Sequence, residues 1–369
     1  MTYIEPPNTI IQSAELALGR ILFITRKWGP AVGGMETYCE RLSEELARLH
    51  PIDVIALPGR SDGSPPSVLS LLLFPVTVAG RLFTQKHPPN IVHLGDMAIW
   101  PLAFLALAFF PKSRVILSAH GTDVAFGARG GIKGRLYSLY LSLGAKLLGS
   151  AKTVANSKAT QARLLDIGWK CDAIIPLATD LRAAAEQGFD PKQILFAGRL
   201  VTRKGLSWFV REVLPLLPSD MRLTVIGTCW DESEESALDH GQVEFLGKMP
   251  QAQLAEYFSK AGCVIVPNIE TENGEYEGFG LIAPEAASSG AVVLAASSGG
   301  LRDAVIDGQT GFLIEAENAQ EWAAKVKEVL VWDSEQRAQF LAQSQALAQS
   351  HYSWSRVAAQ TGEVYLSCG

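Results

Sequence analysis

Short apolar runs recur along this chain, each followed by a stretch of helical composition, and the series starts afresh near residue 193. The first series comprises Arg20–Thr25, Ile52–Leu57, Ile91–Leu94, Arg114–Ser118 and Thr153–Ala155. The second comprises Gln193–Ala197, Arg222–Ile226, Val243–Leu246, Cys263–Val266 and Ala291–Leu294. Strands read this way when they lie in a parallel sheet covered by helices on both faces. The pattern predicts an α/β fold of two successive doubly wound, Rossmann-like domains, joined near residues 178–190. At 369 residues, each domain has room for its own core. We expect an N-terminal domain over 1–180 and a C-terminal domain over 181–350. The tail, 351–369, carries an amphipathic helix at Trp354–Leu366 that packs back on the first domain. Ligands of such sheets bind outside the carboxyl ends of the strands, so two facing sheets would make a cleft.

Composition narrows the partners. Hydrophobic residues make up 48% of the chain and the net charge is −6, so it is globular and nucleic acid is not expected as the main partner. The five cysteines are scattered, odd in number and without metal-ligand spacing, which favours a reduced, cytoplasmic setting. Met1–Ser13 has no basic region and does not read as a signal peptide. The apolar run Leu102–Phe110 is too short to span a bilayer and reads as a buried helix.

Four constellations sit at strand ends. In Glu277-Gly278-Phe279-Gly280-Leu281-Ile282-Ala283-Pro284-Glu285, two glutamates bracket a glycine turn that runs into a helix. Glycine frees the backbone, and a helix start with exposed N–H groups favours phosphate. Two acids beside an anion site suit hydroxyl groups as well, so the segment reads as a nucleotide-sugar pocket. An acidic helix start facing solvent is the plainer alternative. Gly198–Gly205 follows the next series' first strand and carries Arg199 and Lys204, a fork and a point charge for phosphate oxygens. It is not a P-loop, because the glycine–lysine–hydroxyl ending is missing. Gly33-Gly34 precedes a helix and allows close backbone approach to a phosphate or sugar, or merely a tight turn. Ser118-Ala119-His120-Gly121-Thr122-Asp123 places a histidine at a strand end, a setting no other histidine of the chain shares.

Taken together, these segments resemble the retaining GT-B glycosyltransferases of the large family 4-like, group 1 kind, which includes bacterial mannosyl- and glucosyltransferases and sucrose synthase. The resemblance covers nearly the whole chain. It implies that Arg199 and Lys204 neutralise the donor diphosphate, helped by the N–H groups of the Gly278, Phe279, Gly280, Leu281 and Ile282 turn. Glu285 would bind the ribose hydroxyls and Glu277 the transferred hexose. His120 would lie over the donor sugar near its 6-hydroxyl. Gly33 and Gly34 would bring backbone to the phosphate, and Lys248 lies near where the family reads the base. No cofactor is implied, the nucleotide sugar (UDP- or GDP-linked) being the substrate. The chain has no Asp-x-Asp motif, so the cations and the helix start are expected to do the work of a metal.

The implied activity is transfer of a hexose, with retention, to a sugar or lipid-linked acceptor in polysaccharide or glycolipid synthesis. A sugar phosphorylase, an epimerase and a non-catalytic sugar-binding protein are the competing readings. A dehydrogenase lacks its dinucleotide fingerprint here. From Val124 to Leu165 there are seven basic residues and no acidic one, mixed with Phe126, Tyr137, Tyr140 and Leu141. That face suits either solvent or an anionic membrane at its inner surface. The acidic run Asp231–Glu235 reads as a surface loop.

Overall fold

A computed structural model describes residues 19–182, 188–271 and 274–367. Met1–Ser13 and residues 183–187 of the expected connection lie outside the described residues. The chain divides into two compact units. One runs as far as Ile175 and resumes at Trp354; the other is Pro176–Ser353. The fold is that of two Rossmann-like α/β domains.

In the first unit, β1 (Ile21–Thr25), β2 (Ile52–Ala56), β3 (Ile91–Leu94), β4 (Arg114–Ala119), β5 (Lys152–Ala155) and β6 (Ala173–Ile174) form one parallel sheet. Its order is β2-β1-β3-β4-β5-β6. β1 and β3 are buried at every residue, which is why they read as unbroken apolar runs. The direction of winding reverses between β1 and β3. Right-handed crossovers therefore put the Gly34–Leu49 helix on one face, and the Val68–Thr84, Leu102–Phe109 and Gly131–Leu147 helices on the other. The expected buried helix at Leu102 forms, but only half of it is covered. Leu102, Ala103 and Ala106 enter the core, whereas Phe104 and Phe109 stay exposed.

The Gly34–Leu49 helix turns Tyr38, Cys39, Leu42 and Leu46 inward, the spacing of one helical face. The Trp354–Leu366 helix packs beside it and buries Trp354, Val357 and Tyr365. A buried hydrogen-bond chain ties these pieces to the sheet. His93 Nδ1 lies 2.6 Å from the Tyr365 hydroxyl and its Nε2 lies 2.8 Å from the Ser118 hydroxyl. Ser118 in turn lies 2.7 Å from the Tyr38 hydroxyl. Loss of water, and then the nearby His120, pull His93 down to about 3, so its ring is neutral in the folded protein.

The second unit holds β7 (Asp190–Ala197), β8 (Arg222–Ile226), β9 (Val243–Gly247), β10 (Ala261–Val266), β11 (Val293–Ala296) and β12 (Phe312–Ile314), again all parallel. The order β12-β11-β10-β7-β8-β9 is that of a dinucleotide-binding sheet, with its switch point between β7 and β10. Two edge strands, β6 and β12, escape the sequence reading. At two and three residues they are too short to leave a periodic signal.

Candidate functional site

The switch point of the second sheet gathers the strongest constellation. β7 ends at Ala197 and β10 at Val266, and the segments that follow them close on each other. Gly205 makes that approach possible. Its φ is +70°, and a Cβ there would lie 2.0 Å from the Pro267 carbonyl oxygen. Ile269 donates its N–H to the Arg203 carbonyl at 3.1 Å, fixing the Thr202–Lys204 turn against the β10 exit.

The turn buries Lys204 and aims it at Glu277, Nζ to Oε2 being 2.5 Å. Asn268 donates its Nδ2 to the same carboxylate oxygen at 3.3 Å. Among the described residues, the buried Oδ1 of Asn268 has no partner. Burial opposes ionisation of Glu277, yet Lys204 and Arg203, with hydrogen bonds from Lys204 and Asn268, outweigh it and hold the acid down at about 2. Burial pulls Lys204 below the usual lysine value against the attraction of Glu277. We take the pair as ionised, because a carboxylate with two cations close by has no reason to recover its proton.

The Gly278–Ile282 turn is braced from behind. Gly300 donates its N–H to the Glu277 carbonyl at 2.8 Å, and a Cβ on Gly300 would come 2.2 Å from the Gly278 oxygen. Gly280 sits at φ +94° against Leu301. The helix starts at Ile282, and among the described residues the N–H groups of Phe279, Gly280, Leu281 and Ile282 find no acceptor. One turn on, Glu285 is buried, and burial raises it to about 7 in spite of Lys204. A pocket of about 190 Å³ opens beside Glu277, lined also by Asn268, Thr271, Tyr276, Ser298 and Gly299.

Arg199 lies exposed on the other side of the turn, its guanidinium 5.0 Å from the ring centre of Trp230. The acidic run beside Trp230 is more than a surface loop. Asp231 accepts the Thr202 N–H at 2.8 Å and Glu234, itself buried, accepts the Ser207 N–H at 3.0 Å. Together they pin the segment that carries Lys204. Lys248 stands exposed just beyond the edge strand β9, two strands out from β7.

Three expected site residues belong to the first unit. Gly33 caps the Gly34–Leu49 helix without any side-chain hydrogen bond, and Gly34 opens it, exposed. His120 is buried just past β4. Its backbone N–H goes to Asp123 Oδ1 at 2.9 Å, and its ring packs edge-on against Tyr38 with centroids 4.5 Å apart. Nε2 lies 2.9 Å from the Gly95 carbonyl oxygen and must donate to it, since a carbonyl only accepts. Nδ1 is buried and has no partner among the described residues.

Several participants escaped the sequence reading. Asn268, Arg203, Gly299 and Gly300 belong to the second sheet's site. At the first sheet's switch point, Arg26 Nε binds both oxygens of the fully buried Asp96 at 3.1 and 3.2 Å. Lys27, likewise unmarked, pairs at 3.2 Å with Glu36 of the helix that the glycine pair leads into. The signal that could have found Arg203, Asn268, Arg26, Lys27 and Asp96 is position: each follows the carboxyl end of a strand where the winding reverses, whereas Gly299 and Gly300 follow β11.

Both halves of the chain match models of known families. Residues 191–331 match the family model described as glycosyl transferases group 1, and residues 32–182 that described as glycosyltransferase family 4. The D-inositol 3-phosphate glycosyltransferase of Pseudarthrobacter chlorophenolicus is 30% identical over 59% of this chain and 56% of its own. The chain thus spans about half the length of the curated relatives of that name that it matches first. The glycogen synthase of Mycobacterium tuberculosis is 27% identical over 94% of both chains. Sucrose-phosphate synthase from Thermosynechococcus elongatus is similar in fold, with a TM-score of 0.72 at 19% identity over 95% of this chain and 98% of that one. Anabaena HepE in complex with UDP and glucose has a TM-score of 0.70 at 18% identity, over 95% and 100%.

Proposed function

The chain belongs to the GT-B glycosyltransferases of the family 4-like, group 1 kind, and on that premise we propose that it moves a hexose from a UDP- or GDP-linked donor to a sugar or lipid-linked acceptor, with retention. The observation that carries this reading is the Lys204–Glu277 pair at the β7/β10 switch point, set beside four backbone N–H groups that find no acceptor among the described residues. A diphosphate entering there supplies the anion that these donors lack. Lys204 exchanges Glu277 for phosphate oxygens, and Arg199 and the N–H groups of Phe279 to Ile282 share the charge. Glu277 is then released toward the hexose hydroxyls. Glu285 takes the ribose hydroxyls.

In the reaction, the bond between the anomeric carbon and the diphosphate oxygen breaks and the electron pair leaves with that oxygen. The acceptor hydroxyl bonds to the carbon on the vacated face, and its proton passes to the departing diphosphate. Preorganised positive groups act where charge develops, so each is worth a large factor. The proposal needs no cofactor. Curated relatives named for glycogen and inositol phosphate chemistry support polysaccharide or glycolipid synthesis as the setting. The enzyme then works in the cytoplasm, at the inner membrane face when the acceptor is lipid-linked.

Thermal unfolding with UDP, GDP or ADP, with and without EDTA, tests the donor site. A diphosphate at 100 times its dissociation constant stabilises by about 2.7 kcal/mol, and EDTA leaves that unchanged. Glu277→Ala is expected to keep the fold and lose roughly 10²–10³ in turnover. Stability that responds to no diphosphate would turn the reading to a phosphorylase or a sugar-binding protein.

A further inference from the structure

The outer surface of the first unit's helix layer is apolar where a solvated surface would be polar. In the Val68–Thr84 helix, Phe74, Val78 and Leu82 face the core. On the other side Val68, Leu69, Leu72, Leu73, Val76 and Phe83 are exposed, Leu72 at 71% and Phe83 at 81%. At about 100° per residue these six fall on one continuous arc with no charged residue within it. The Gly131–Leu147 helix repeats the design. Gly134, Leu141 and Gly144 face inward, while Ile132 (78% exposed), Leu136, Leu139 (67%), Leu143 and Leu147 form a narrow outward stripe. Exposed Lys133 flanks that stripe on one side, and Arg135 and Lys146 on the other. Between the two, the Leu102–Phe109 helix exposes Phe104 and Phe109. All three belong to crossovers on one side of the sheet and share one core beneath them.

The charge of this layer has one sign. The three helices carry Arg81, Lys133, Arg135 and Lys146 and no acid, in a protein whose net charge is −6. A contiguous apolar surface of this kind marks a docking face, and its charge identifies the occupant. The core of a protein–protein interface carries few charges and is ringed by a mixed polar rim. An apolar stripe lined by basic residues and lying flat suits a bilayer of anionic lipid, with the side chains at the acyl boundary and the cations reaching back to phosphate. No described helix is long and apolar enough to cross a membrane. The inward face of the Val68–Thr84 helix is held in the core, so that helix lies along the surface.

We propose that the Val68–Thr84, Leu102–Phe109 and Gly131–Leu147 helices together form a docking face for an anionic lipid bilayer. The face is built apart from the donor site. Vesicle binding does not require glycosyl transfer, so this inference and the proposed function can fail separately.

The test is sedimentation of the full chain with phosphatidylcholine vesicles, with and without about a third phosphatidylglycerol. The protein is expected to pellet with the anionic vesicles and to be released by salt. The double substitutions Leu72→Glu with Val76→Glu, and Leu136→Glu with Leu139→Glu, are each expected to lower the bound fraction roughly tenfold or more. Lys133→Gln with Arg135→Gln should remove the preference for anionic lipid, again by roughly tenfold. Since the replaced side chains are exposed, thermal stability and its shift by nucleoside diphosphate should stay at parent values. Wild-type protein left in solution with both vesicle types would overturn the proposal, as would variants that bind like the parent. A dimer that the glutamates dissolve, without vesicle binding, would assign the face to a second copy instead.

Discussion

Glu277 and Glu285 are the same residue type eight positions apart, and the structure gives them opposite ionisation. Glu277 faces Lys204, Arg203 and Asn268 and is held at about 2; Glu285 meets burial with only Lys204 to offset it and rises to about 7. A raised acid keeps a proton in the folded state that the unfolded chain, with an ordinary value of 4.5, gives up. Its contribution to stability is whole below 4.5 and is lost as pH rises through 7. Glu285→Gln is therefore expected to be more stable than the parent at pH 8, by up to about 3 kcal/mol, and to match it near pH 4. Denaturant titrations at the two pH values check this, and an equal gap at both would count against it. The acid pair was legible in the sequence, because glycines, acids and a helix start fall together. The difference between the two acids was not, since it depends chiefly on Lys204 and Arg203, more than seventy positions upstream.

At the scale of elements, the C-terminal helix is the clearest case of a piece whose value lies elsewhere. Trp354, Val357, Val364 and Tyr365 are all buried, and the Tyr365 hydroxyl closes the chain through His93 and Ser118 to Tyr38. Four side chains of that size are worth on the order of 6–12 kcal/mol when buried, as much as the whole stability of an ordinary domain. Ending the chain after Ser353 is expected to remove the cooperative unfolding of the first unit and leave that of the second. Calorimetry that still shows both transitions would contradict this. The amphipathic pattern of Trp354–Leu366 was visible in the sequence. That His93 would be its anchor was not, because an isolated histidine in an apolar strand carries no sign of the hydroxyls that will meet it.

For the whole molecule, two windings of one architecture place their chemistry by the same rule. In each sheet the charged residues collect where the strand order reverses, Arg26 with Asp96 in one and Lys204 with Glu277 in the other. If the second of these is the donor site, a bound nucleoside diphosphate should slow amide exchange in 199–205 and 278–282. Unchanged exchange in both loops at saturating ligand would argue against it. The periodicity of apolar runs, read alone, determined the class of fold, the repeat and ten of the strands, because a strand buried on both faces must be apolar throughout. Local composition likewise marked the glycine turn, its acids and the basic segments near it. Tertiary structure alone decided which cation meets which carboxylate, that Gly205 must pass against Pro267 and Gly300 against Gly278, and that a helix layer turns its leucines outward. Those outcomes depend on distances between residues far apart in the chain, and burial and Coulomb interaction act through distance rather than through sequence.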